Sequence, residues 1–178
     1  YDASGYADGF VSFEAQAAGT EAMIDEARRM WHAVNRPNLM IKIPGVPSGV
    51  KTVEELIAEG INVNITLLFS VDVYKSYAEA YIRGLERRLD AGLPLDRMAS
   101  VASFFVSRVD TKVDEMLPEG SPLRGKVAIA NAYAAYDFFL QTVASERWQK
   151  LAAAGARVQR PLWASTGTKN AAYSDVLY

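Results

Sequence analysis

The spacing of apolar residues changes period repeatedly along this chain. Five short runs read as strands: 9–15 (GFVSFEA), 39–43 (LMIKI), 61–69 (INVNITLLF), 98–105 (MASVASFF) and 158–165 (VQRPLWAS). Between them, 20–34, 49–59, 71–91, 109–116 and the long stretch 126–154 read as helices. In 52–60 (TVEELIAEG), Val53, Leu56 and Ile57 recur at i, i+3, i+4, and Gly60 stands where a C′ residue ends a helix. The Pro, Gly and Ser content of PEGSPLRG predicts a loop excursion around 117–125 within one domain spanning 1–178. Strands alternating with helices predict an α/β fold with parallel strands joined by crossovers. Five such units fit either an open doubly wound sheet or part of an eight-stranded barrel. No G-x-G-x-x-G follows the first strand, which removes support from the dinucleotide-binding version.

A strand covered by helices on one side and a barrel interior on the other is expected to be almost continuously apolar. Three of these strands are not. Asn62, Asn64 and Thr66 share one face of their strand, Ser12 and Glu14 oppose Val11 and Phe13, and Lys42 opposes Ile41 and Ile43. Alternation of this kind is equally that of half-exposed strands, polar toward water. If successive strands are neighbours, however, Glu14, Lys42, Asn64 and Thr66 meet on one concave surface, where a barrel enzyme gathers its catalytic groups. A lysine held among apolar groups loses ammonium stabilisation and becomes an amine nucleophile toward a carbonyl. A carboxylate such as Glu14 can move the protons that imine formation requires, and Thr66 and Asn64 offer neutral hydrogen bonds to a water or a polyol. The competing reading is a buried Glu14–Lys42 ion pair with no chemistry.

Composition narrows the field. A net charge of −2 offers no broad surface for nucleic acid or an anionic membrane. The absence of cysteine removes disulfides, thiolate nucleophiles and Cys-ligated zinc, and His32, the only histidine, lies inside a helical pattern, so a histidine-rich metal site is excluded. No run reaches the roughly 18 apolar residues of a membrane span, and YDASGYADGF lacks the form of a signal peptide. A soluble, cytoplasmic protein is the expectation. The chain begins at Tyr1 and an apolar pattern is starting at 174–178, so more sequence is expected at both ends.

The segments DGFVSFEA, LMIKIPG, EGINVNITLLFS, VASFFVSRVD and RVQRPLWASTGTKN, in this order, resemble transaldolase over nearly the whole chain. The resemblance implies a (β/α)8 TIM-type barrel of the pentose phosphate pathway, working without cofactor or metal. Such an enzyme moves a dihydroxyacetone unit from a ketose phosphate, sedoheptulose 7-phosphate or fructose 6-phosphate, to an aldose phosphate. Carried over, it makes Lys42 the Schiff-base lysine, Glu14 and Thr66 the holders of a proton-relaying water, and Asn64 a ligand of substrate hydroxyls. It places Ser103 and Phe105 near the substrate, Arg108 at its phosphate, and Ser165 and Lys169 at the substrate end of the next strand. Many members carry arginine where Lys169 stands. The related fructose-6-phosphate aldolase resembles transaldolase but has glutamine in place of Glu14 and tyrosine in place of Phe105.

Only about five of the eight units are then present, the family's first two strands and its last being missing. The first of those supplies the aspartate that takes the proton of the hydroxyl next to the broken bond. A catalytically silent fragment is therefore a second reading, and the two open sheet edges invite self-association or pairing with the missing barrel segments.

Overall fold

A computed structural model describes residues 1–174 and 177–178; Asp175 and Val176, within the apolar pattern at 174–178, lie outside the described residues. Five strands, β1 (Val11–Glu14), β2 (Leu39–Pro44), β3 (Val63–Leu68), β4 (Ser100–Phe105) and β5 (Gln159–Ala164), form one all-parallel sheet in the order of the chain. A doubly wound sheet reverses its strand order at a switch point, and this sheet does not. Consecutive order is that of a barrel wall, and it resolves the choice that spacing left open.

Among the described residues the α-helices are α1 (Thr20–Val34), α2 (Pro47–Glu59), α3 (Val71–Asp90), α4 (Ser107–Asp114), α5 (Val127–Ala144) and α6 (Glu146–Ala153). The predicted helix 126–154 is thus two helices. Apolar residues run through the junction, but Ser145 adopts an extended backbone, its hydroxyl accepts from the N–H of Trp148 at 3.2 Å, and Glu146 fills the first turn. The capping bond starts a new helix where periodicity alone continues the old one. Residues 115–126 run as turns, braced by Arg124, which donates to the carbonyls of Asp114, Leu117 and Pro118.

The two sheet faces differ in character. On the outer face Leu39, Ile41, Ile43, Val63, Ile65 and Phe104 are buried with Leu56, Ile57, Tyr77, Tyr81 and Leu85 of α2 and α3 in the main core. Burying such side chains stabilises by about 2 kcal/mol each before conformational entropy is set against it. The inner face holds a second, small cluster of Phe10, Met40, Ala99 and Val101 near the strand starts, with the polar residues above it. Across the base, the segment before β1 reaches the far edge of the sheet. Arg157 donates to the carbonyl of Tyr6 at 2.6 Å, Arg160 meets Asp8 at 3.1 Å, and the Arg97 guanidinium lies 3.8 Å over the Tyr6 ring.

Candidate active site

Register carries the predicted residues to one place. Glu14 on β1 is level with Lys42 on β2, and Lys42 is level with Asn64 on β3. Lys42 Nζ lies 3.1 Å from Glu14 Oε2. Ser103 of β4 donates to Asn64 Oδ1 at 2.8 Å, and Asn64 Nδ2 donates to Ser12 Oγ on β1 at 2.9 Å. Four adjacent strands therefore share one polar layer around Lys42.

The lysine is not held among apolar groups, and its pair is not buried: the Lys42 and Glu14 side chains are 27% and 46% exposed. Both expectations are corrected by the same geometry, because β1 is an edge strand and all four of its residues face solvent. An ion pair so exposed contributes about 0–1 kcal/mol. It holds the amine in place without burying a charge.

The strand ends above Lys42 are shaped by backbone. Thr66, 4% exposed, precedes Leu67, whose φ of 60° breaks the β3–β4 register between Ile65 and Leu68. Gly45 lets β2 approach this bulge, donating to the Thr66 carbonyl at 2.7 Å. A Cβ there would stand 3.0 Å from the Leu67 carbonyl oxygen and 3.2 Å from that of Thr66. Beneath the turn, Tyr77 of α3 donates toward the carbonyls of Pro44 and Val46, at 2.7 Å each, and burial pushes its phenol well above the ordinary range. The P-G turn after Lys42 is thereby tied to the main core.

Phe105 closes β4 with its ring 5.3 Å from that of Phe69, and the exposed Arg108, at the start of α4, lies 5.0 Å over the Phe105 ring. Ser165 has a left-handed φ of 54°, and its hydroxyl meets that of Ser107 at 2.9 Å, so the ends of β4 and β5 are joined. Lys169 is elsewhere. It lines a cavity of about 480 Å³ beside α4 with Asp110, Asp114 and Arg124, which includes none of Glu14, Lys42, Asn64 or Thr66. The buried Asp110 and Asp114 of that cavity accept from the backbone N–H groups of Ala128 and Gly125 and from the hydroxyls of Tyr178 and Tyr173.

Two roles were not apparent in the sequence pattern. Asn62 shares the polar face yet works in the scaffold: its amide donates to the carbonyls of Pro37 and Leu39 at 3.0 and 3.2 Å, and its oxygen accepts from Ala99 N–H at 2.9 Å. Ser12, a small polar residue indistinguishable from ordinary alternation, is the partner of Asn64. Among the described residues no group of three or more His, Cys, Asp or Glu is placed to hold a metal ion, and no helix is long and apolar enough to cross a membrane.

Comparison with known proteins agrees with this geometry. Transaldolase 2 of Nostoc punctiforme is 52% identical over 195 aligned residues, covering all of this chain and 51% of that protein. Transaldolases of Parafrankia sp. and Mycolicibacterium smegmatis are 49% and 50% identical, again over the whole chain and 50% of their own lengths. The chain spans about half the length of these curated relatives. The sequence model of the transaldolase/fructose-6-phosphate aldolase family matches residues 3–178, so a parallel sheet in barrel order, with a lysine, a carboxylate and an amide in one layer, belongs to a member of that family.

Proposed function

We propose that the protein containing this chain is a transaldolase of the pentose phosphate pathway, transferring a dihydroxyacetone unit from a ketose phosphate to an aldose phosphate through a Schiff base on Lys42. The observation that carries the reading is Lys42 standing level with Glu14 on one side and Asn64 on the other, on the inner face of a barrel-order sheet. The amine of Lys42 adds to the ketose carbonyl. Glu14, through a water held with Thr66, takes the proton that the lysine nitrogen gives up and delivers it to the carbinolamine hydroxyl, which leaves as water and gives the imine. Cleavage of the bond between the third and fourth carbons then sends its electron pair toward the imine nitrogen, releases the aldose phosphate and leaves an enamine on Lys42. Attack of that enamine on a second aldehyde, followed by hydrolysis, completes the transfer. The base for the hydroxyl next to the breaking bond comes, by the family resemblance, from a barrel strand other than these five. Asn64 hydrogen-bonds the unit's hydroxyls, while Ser103, Phe105, Arg108 and Ser165 line the path toward the phosphate.

A carboxylate at Glu14, in contact with the lysine, favours transaldolase over fructose-6-phosphate aldolase, in which the resemblance expects glutamine. The two part in an acceptor assay on a polypeptide of the relatives' length containing this chain. With fructose 6-phosphate and erythrose 4-phosphate, sedoheptulose 7-phosphate is the expected product, and Lys42→Ala abolishes it. Free dihydroxyacetone as the main product would instead assign an aldolase.

A further inference from the structure

The Asn64 carboxamide is gripped at both ends: Ser103 donates to its oxygen at 2.8 Å and its nitrogen donates to Ser12 at 2.9 Å. The two serines stand on β4 and β1, so this chain of hydrogen bonds crosses the inner face past β2, whose Lys42 is the register neighbour of Asn64. A primary amide has two donor hydrogens and two acceptor lone pairs. The serines use one of each, and one N–H and one lone pair remain for a ligand beside Lys42. The terminal torsion of an asparagine is soft and roughly two-fold, so an amide held from one end only can turn its donor and acceptor edges about.

We propose that Ser12 is a positioning residue for the Lys42 reaction. Acting through Asn64, it fixes which edge of the carboxamide faces the carbon skeleton bound to the lysine. The inference rests on the Schiff-base reading above, but it assigns a role to a residue to which the family resemblance gives none. Ser12 contributes no proton and touches no reacting atom; its hydroxyl sets the orientation of a group that does.

The test measures the rate of borohydride trapping of fructose 6-phosphate at Lys42 in a polypeptide of the relatives' length containing this chain. Wild type is compared with Ser12→Ala, Ser12→Thr, Asn64→Ala and the Ser12→Ala/Asn64→Ala double variant. Loss of one ordinary hydrogen bond from the amide slows trapping at subsaturating substrate by about tenfold in Ser12→Ala. Ser12→Thr, which keeps the hydroxyl, restores most of the rate. In the Asn64→Ala background Ser12→Ala costs nothing further, because the group it acts through is gone. Trapping by Ser12→Ala at the wild-type rate, or an equal additional loss in the double variant, overturns the proposal. A wild-type protein that gives no adduct overturns the Schiff-base reading itself. In that case the side-chain resonances of nitrogen-labelled Asn64 still decide the contact: unmoved by Ser12→Ala, they show that it is absent, and moved, that it serves another chemistry; either result overturns the role proposed here.

Discussion

Asn62 and Asn64 sit two residues apart on one face of one strand, and their partners differ: Asn62 bonds backbone groups and Asn64 bonds the side chains of Ser12 and Ser103. Replacing Asn62 by alanine removes three hydrogen bonds from a side chain that is 2% exposed, and leaves the Ala99 N–H without its partner at the start of β4. At roughly 1 kcal/mol per bond the expected loss is about 3 kcal/mol. For a domain of this size that is a fall of about 6–12 °C in melting temperature. Asn62→Asp sharpens the test, since it keeps the acceptor for Ala99 but turns a buried anionic oxygen toward two carbonyls. It should cost more than alanine at neutral pH and recover as acid protonates the carboxyl. Urea unfolding of both variants, with circular dichroism and tryptophan fluorescence compared for coincidence, gives the numbers. A loss below about 1 kcal/mol in Asn62→Ala would refute the assignment of Asn62 to the scaffold.

Other outcomes follow from the packing and the charges. Gly84→Ala puts a Cβ 2.7 Å from that of Ile57 and 2.9 Å from the Glu54 carbonyl oxygen, so it should destabilise by about 1–3 kcal/mol in chemical unfolding despite alanine's better helix propensity. Tyr77→Phe removes the hydroxyl shared by the Pro44 and Val46 carbonyls; it should cost about 1 kcal/mol in a melting experiment and also slow imine trapping at Lys42, two residues before Pro44. Arg147 clamps Glu79 and Glu86 of α3 to α6, and at about 40% exposure its removal should cost about 1 kcal/mol or less, diminishing with salt. The Arg147 hydrogen bond holds the Glu86 carboxyl below the ordinary range. That stabilisation is therefore full above the unfolded glutamate value of about 4.3 and lost as pH falls through the lowered folded value, so unfolding curves of wild type and Arg147→Ala should converge on acidification below the unfolded value.

Short β-rich runs exposed all five strands, within two residues at each end, and in three of them a polar stripe departs from the continuous apolar run expected of a strand covered on both sides. The proximity of Glu14, Lys42 and Asn64 was equally legible, since neighbouring parallel strands stack equivalent positions. What stayed hidden is what depends on three-dimensional partners. Periodicity cannot separate an asparagine that satisfies backbone groups from one held by side chains, and so Asn62 and Asn64 looked alike. The break at Ser145 is a matter of one capping bond inside an apolar run, although the S-E-R-W order was a usable signal. The exposure of the Lys42 pair follows from β1 lying at the sheet edge, which local pattern does not reveal. Lys169 lies beyond β5, where no strand period fixes direction, and the path of the backbone carries it to α4.

In the proposed function, Lys42 is the amine that carries the three-carbon unit. Borohydride reduction with fructose 6-phosphate, followed by intact mass and peptide mapping, tests it on this chain and on a polypeptide of the relatives' length that contains it. A reduced dihydroxyacetone adduct is expected on the peptide holding Lys42, absent from Lys42→Ala. An adduct only on the longer polypeptide would show that the remaining strands are needed to complete the site. If neither polypeptide is labelled at Lys42, or the label falls on another lysine, Lys42 is not the Schiff-base residue.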